Sequence, residues 1–258
     1  MEPQRLQARQ GWEWIKRGYA LFMLAPLLWI VFLLIFFISA VAVSNLPVIG
    51  DPLVSLLMPV VLAGLMTGCR SLEQGGELEL VHFFSGFKQH TSLLITLGGI
   101  SLVGQFLILG VMMATGGDEL VGLMTSGQPD INPNVLMKAM SGATFAISLG
   151  VALYLFLTSV IQFATLLVYF NGIPPIPAMQ LAMRAFVYNI RPMLVFGVTF
   201  LFLGMLATLP MGLGWLVLMP LSFTSLYTSY SAIFPSVKET GSTPLEGDVI
   251  GSDDQEHF

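Results

Sequence analysis

Two glutamines inside otherwise apolar stretches are the first places where this chain could do chemistry. Gln105 and Gln162 are each flanked by long runs of Leu, Ile, Val and Phe. A side-chain amide in hydrocarbon needs a partner for its donors and its acceptor, and a neighbouring helix can supply one. The pair therefore reads either as interhelical glue or as contacts for a substrate. Pro59 and Pro220 also fall within apolar runs. Each removes one N–H and leaves the carbonyl four residues back, at Ser55 and Leu216, without its helical partner. Freed carbonyls accompany packing kinks and also line sites in broken helices. The last run carries Ser222, Thr224, Ser225, Tyr227, Thr228, Ser229, Tyr230 and Ser231. That density suggests a face turned toward protein or water, unless the hydroxyls bond back to their own helix. Gln105, Gln162, Pro59, Pro220, Tyr227 and Tyr230 are thus the candidate cavity or helix-contact residues.

Cys69, Glu73, Glu77, Glu79, His82 and His90 gather metal-ligand types in one connection. Their spacing matches no zinc motif, and on a straight helix His82 and His90 stand about 12 Å apart, too far to share an ion. Walker, nucleophile-elbow and HExxH patterns are missing, as are paired membrane carboxylates. No catalytic, cofactor-binding or metal residue is expected, no cofactor is expected, and the chain reads as a non-enzyme. One cysteine excludes an internal disulfide.

The elements that would position these residues follow from composition. Hydrophobic residues make up 55% of the chain and charged residues 10%, against roughly 25% charged in an average soluble domain. A soluble fold could not cover that much apolar surface, whereas lipid can surround it. Continuous rather than alternating apolar runs argue for helices over a barrel. The expected fold is all-α: a polytopic transmembrane helical bundle of six spans, at about 19–43, 53–68, 92–114, 143–168, 193–209 and 213–234. Asp51 and Pro52 would open the second span as N-cap and first helical residue. Pro26 would lie inside the first. Gly64 and Gly68 fit the small-xxx-small motif of close helix contact. Residues 1–18 form an N-terminal interfacial segment, and 235–258 an acidic, disordered tail. Ala40-Val41-Ala42 resembles a cleavage site, but the run from Tyr19 to Val43 is too long for a signal peptide's apolar core, so no cleavage is expected.

Orientation follows from the basic residues. Arg5, Arg9, Lys16, Arg17, Arg70, Lys88, Arg184, Arg191 and Lys238 all fall on one side of six alternating spans, with Lys138 the exception. The positive-inside rule makes that side cytoplasmic, with both termini on it. No basic patch suggests nucleic acid. No Asp, Glu, Lys, Arg or His occupies the middle of a span, which counts against ion-coupled transport.

Aromatic-rich segments precede spans one, three and five: Gly11 to Tyr19, His82 to Lys88, and Arg184 to Pro192. They suggest a three-fold repeat of interfacial helix plus helical hairpin. Leu80, Phe83, Phe84 and Phe87 fall at i, i+3, i+4, i+7, as on one face of a helix. Such helices lie in the headgroup plane with the aromatic face in lipid. Trp12, Trp14, Phe83, Phe84, Phe87 and Phe186 are the candidate lipid-interface residues.

The stretches Gly11-Trp12-Glu13-Trp14, Tyr19-Ala20-Leu21-Phe22 and Pro26-Leu27-Leu28-Trp29 carry a family likeness. It continues through Gly64-Leu65-Met66, Arg70-Ser71-Leu72-Glu73-Gln74-Gly75 and Leu80 to Phe87. Over most of residues 11–235 the chain resembles an uncharacterised family of proteobacterial multi-pass inner-membrane proteins. The resemblance implies a bacterial inner-membrane location and several spans; it supplies no substrate and no site residues. The expected function is a non-enzymatic scaffold or accessory protein. Its partners would be membrane lipids and a membrane protein or a second copy of the chain. The alternative is a transporter or lipid-handling protein with a mid-membrane cavity lined by Gln105, Gln162 and span six.

Overall fold

Proline sets the first departure from the sequence reading. A residue preceding proline is pushed out of the α region, and Ala25 sits at φ −149°, ψ 58°. The first apolar run is therefore divided: α1 covers Gln10–Leu24 and α2 covers Pro26–Ser44, with Pro26 in the first helical position rather than inside a span. The computed structural model describes residues 2–47, 49–126 and 132–235, so the acidic tail expected from 235 lies, beyond Pro235, outside the described residues.

The chain continues through α3 (Gly50–Glu73), the one-turn α4 (Leu80–Phe83) with a tight turn over Ser85–Phe87, and α5 (Thr91–Met112). Then come α6 (Asp118–Thr125), α7 (Pro133–Gly142), α8 (Thr144–Asn171), α9 (Pro175–Tyr188), α10 (Ile190–Thr208) and α11 (Trp215–Ile233). A widened turn over Met113–Gly117 joins α5 to α6, and Gly116 takes φ +95° there. Asn132 caps α7, its side chain accepting from the Asn134 N–H at 2.9 Å. Among the described residues, six helices are long and apolar enough to cross a membrane: α2, α3, α5 continued into α6, α8, α10 and α11. Asp51 lies within the first turn of α3, not at its cap. Pro59 and Pro220 are accommodated inside continuous helices.

The six spans sort into two sets. In their most apolar stretches α3, α8 and α11 are 50%, 44% and 61% buried, whereas α2, α5 and α10 are each 17% buried. The first set forms the core and the second presents Leu27, Ile38, Phe106, Leu107, Leu201 and Phe202 outward. An apolar exterior of this kind requires an apolar solvent, so the protein is an integral membrane protein.

Each lead-in segment packs on the last helix of another hairpin: α1 on α11, α4 and its following turn on α3, and α9 on α8. Glycine permits the approach. A Cβ at Gly18 would lie 2.7 Å from the Ser225 backbone, and one at Gly64 would lie 2.3 Å from the Phe83 carbonyl. The Gly64/Gly68 motif thus seats the Leu78–Phe83 segment rather than another span. Three equal copies are not established by these contacts: the lead-in helices measure 15, 4 and 14 residues, and α6 and α7 interrupt the middle hairpin.

The lead-in segments also correct the lipid-interface assignment. Trp14 and Phe83 are buried in the protein core, Trp14 against Phe196 and Phe83 against Phe32. The cause is the seating of α1 on its neighbours and the brevity of α4. Along α1, Gly11 meets Pro192 of α10, the Trp14 carbonyl accepts from Thr228, and Gly18 meets Ser225, so α1 packs against α10 and α11 instead of lying apart from them. Trp12, Phe84 and Phe87 remain exposed, and Phe186 is half-buried against Phe156. On α9 the face turned to the core is Ala178, Ala182 and Ala185.

Candidate functional site

The mid-span polar residues are not brought together. Gln105 donates to Ser101 Oγ one turn back on its own helix, at 3.4 Å. Gln162 makes no side-chain hydrogen bond among the described residues, and neither glutamine lines any of the three described cavities. Pro220 borders a gap of about 10 Å³ walled by Trp29, Phe32, Leu33 and Leu65, which is apolar and has no room for a ligand. Most hydroxyls of α11 bond back to their own helix: Ser222 to Met219, Thr224 to Leu221, Ser229 to Leu226 and Ser231 to Tyr227. Thr228 bonds back to the Ser225 carbonyl at 3.0 Å and also reaches across, donating to the Trp14 carbonyl at 2.8 Å. The Ser225 hydroxyl, pressed against Gly18, has no hydrogen-bond partner among the described residues.

Polarity concentrates instead at the end of the bundle where α3, α8 and α11 all finish. Here α3 runs past its apolar stretch, so Arg70 and Glu73 lie in its last turn rather than in a loop. From α11, Tyr227 donates to Glu73 Oε2 at 2.6 Å and Tyr230 donates to Asn171 Oδ1 at 2.6 Å. Both tyrosine rings are buried, while Arg70, Glu73 and Asn171 are exposed at the rim. Phe170 is the hub: its ring meets Tyr227 at 6.3 Å and Tyr230 at 5.9 Å, and the Arg70 guanidinium lies 5.2 Å above its centre. Tyr169, next in line, accepts from the Thr67 hydroxyl at 3.0 Å. Arg70, Glu73, Phe170, Asn171, Tyr227 and Tyr230 wall a cavity of about 590 Å³.

A second cavity, of about 430 Å³, lies between α1 and α11 and shares Glu73 and Ser231 with the first. Its α1 wall is Arg17, Ala20, Leu21 and Leu24, at i, i+3, i+4 and i+7. Arg17 and Arg70 have no carboxylate within ion-pair distance among the described residues; the one ion pair there is Lys16 to Glu13 at 2.9 Å. The arrangement offers guanidinium donors, one carboxylate with an oxygen left over, and aromatic walls. Such walls suit a polar group carrying either charge.

Tyr227 and Tyr230 line a cavity at the helix ends, Pro220 borders only the apolar gap, and Gln105, Gln162 and Pro59 line none of the three. Arg70 and Glu73 follow the second expected span, Asn171 follows the fourth and Arg17 precedes the first, so hydropathy marks none of them as lining a cavity. The i, i+3 spacing of Arg70 and Glu73, continuing the helical phase of Leu62, Met66 and Cys69, was the available signal. His82 acts as a cap: its Nδ1 accepts from the Glu79 N–H at 3.0 Å. Asn189 was missed altogether. Fully buried at the α9–α10 joint, it accepts from the Leu6 N–H at 2.8 Å and donates to the Gln4 carbonyl at 2.9 Å and the Ala185 carbonyl at 3.0 Å. With Gln4 also donating to the Ile233 carbonyl at 2.9 Å, it straps the N-terminal segment across this end of the bundle.

The chain is similar to a probable inner membrane protein of Burkholderia thailandensis. The two are 27% identical over 267 aligned residues, which cover 95% of this chain and 98% of that relative. No family model matches the chain, and no solved structure matches it.

Proposed function

We propose that this chain is a non-enzymatic accessory or scaffold protein of the bacterial inner membrane, meeting lipids or a partner protein at its basic end, with both termini cytoplasmic. The location is supported by the similarity to a probable inner membrane protein and by the six apolar helices. The orientation is supported by the gathering of Lys and Arg at that end. The observation that carries the functional reading is the separation of the two mid-span amides from any of the cavities. Gln105 is spent on its own helix, and the polar walls lie at the helix ends.

The test replaces Gln105 and Gln162 together by Leu. A scaffold tolerates the change, losing at most about 1 kcal/mol per bond, and the double variant complements a deletion strain fully. A folded double variant that reproduces the deletion phenotype contradicts the reading and favours passage of a substrate through the middle of the bundle. Reporter fusions at residues 80, 180 and 250 test the orientation and are expected to report the cytoplasm; a periplasmic signal at 250 contradicts it.

A further inference from the structure

We propose that the smaller cavity, between α1 and α11, is a binding site for one phospholipid whose headgroup carries both a phosphate and a primary ammonium. This rests on the membrane-accessory reading and gives it a ligand. The α1 wall is a single stripe that begins charged and ends apolar: Arg17, then Ala20, Leu21 and Leu24. Leu24 lies seven residues beyond Arg17, about 10 Å further along the helix axis, where α1 gives way to the apolar α2. That is the layout of an amphiphile, with the phosphate on the guanidinium and an acyl chain along the leucines. Leu24 is exposed, so the apolar end opens outward.

The other wall supplies the opposite charge. Glu73 uses Oε2 to accept from Tyr227 at 2.6 Å, and Oε1 has no donor among the described residues. Arg70 stands one turn back, at the spacing that usually forms a helix ion pair. It does not form one, because its guanidinium lies over Phe170. Glu73 is thus held by Tyr227, left without its natural cation, and placed on both cavities. Arg17 likewise has no carboxylate within ion-pair distance among the described residues, since Glu13 is taken by Lys16. A guanidinium and a carboxylate that face one cavity and are not paired with each other fit a zwitterion. A phosphate alone would leave Glu73 repelling it, and a quaternary ammonium has no N–H to give the free oxygen.

The test uses the purified, delipidated full chain in detergent. Phosphatidylethanolamine, phosphatidylglycerol and phosphatidylcholine with identical acyl chains are offered at equal concentration, and retention is read by native mass spectrometry. Phosphatidylethanolamine is expected to be retained about tenfold over the other two, as one charge-assisted hydrogen bond allows. E73Q keeps an acceptor for Tyr227 and is expected to abolish the preference, while R17Q lowers retention of all three lipids. Leu24→Gln, at an exposed position, is expected to weaken retention without altering the fold. Free O-phosphoethanolamine is expected not to compete. Equal retention of the three lipids, preference for phosphatidylglycerol, or a preference that survives E73Q in a normally melting protein overturns the proposal. So does competition by the chain-free headgroup, or full retention by Leu24→Gln. None of these readings depends on the glutamine double variant, so the two proposals fail separately.

Discussion

Gly18 shows how much of this packing hangs on single atoms. Its missing Cβ lets α1 rest on the backbone of α11 at Ser225, where a methyl would come within 2.7 Å of backbone atoms that cannot step aside. Gly18→Ala is therefore expected to destabilise the protein by about 1–3 kcal/mol, the usual cost of overpacking, seen as a lower midpoint in detergent melts. Gly110, with open space around it, serves as the control and is expected to accept alanine without loss. An unchanged midpoint for Gly18→Ala would mean that α1 does not seat on α11 as described. Asn189 makes a second test. Asn189→Leu removes both side-chain hydrogen bonds to the strap, from the Leu6 N–H and to the Gln4 carbonyl, and a third to the Ala185 carbonyl. A total loss of about 1–3 kcal/mol is expected, the net worth of a few part-buried hydrogen bonds. The N-terminal residues should also become the first site of limited proteolysis. Resistance equal to the native chain would contradict the strap.

At the scale of helices, the number and class of elements were legible because a membrane span is a compositional signal: about 20 apolar residues with few charges. Boundaries were less so. The run from Tyr19 to Val43 looked like one span, and only the backbone restriction ahead of Pro26 divides it. Helix α3 outlasts its apolar stretch because Arg70 and Glu73 keep helical phase while leaving the lipid. Hydropathy therefore stops short of the residues that build the cleft. Trp14 and Phe83 show the complementary failure. An aromatic stripe has the same sequence whether it faces headgroups or a neighbouring helix, and here glycines at the contact decide for the neighbour. Equally, nothing in the apolar pattern separates the inner helices from the outer ones, since lipid and a protein core are both apolar. That division yields a prediction. Leu226→Ala, on α11, is expected to cost about 2–5 kcal/mol as a core truncation, whereas Leu201→Ala, exposed on α10, is expected to stay within about 0.5 kcal/mol. Equal losses in denaturant titrations would contradict the assignment of α11 to the core.

Taken as a whole, the molecule is a helical bundle whose two larger described cavities lie at one end. The outer helices α2, α5 and α10 carry the apolar exterior, and α3, α8 and α11 converge on a cleft of two tyrosines, one arginine and one glutamate. The strap from Gln4 and Leu6 to Asn189 lies at that same end, and so do the N-terminus of α1 and the joint of α9 with α10. Cysteine accessibility tests this distribution most directly. In a Cys69→Ala background, single cysteines at 105, 162 and 231 are exposed to a charged, membrane-impermeant thiol reagent in inside-out vesicles. The cysteine at 231, on the cleft, is expected to react, and those at 105 and 162 to stay unlabelled. Labelling at 105 or 162 at the rate seen at 231 would reveal a water-filled path through the middle of the bundle and contradict the account.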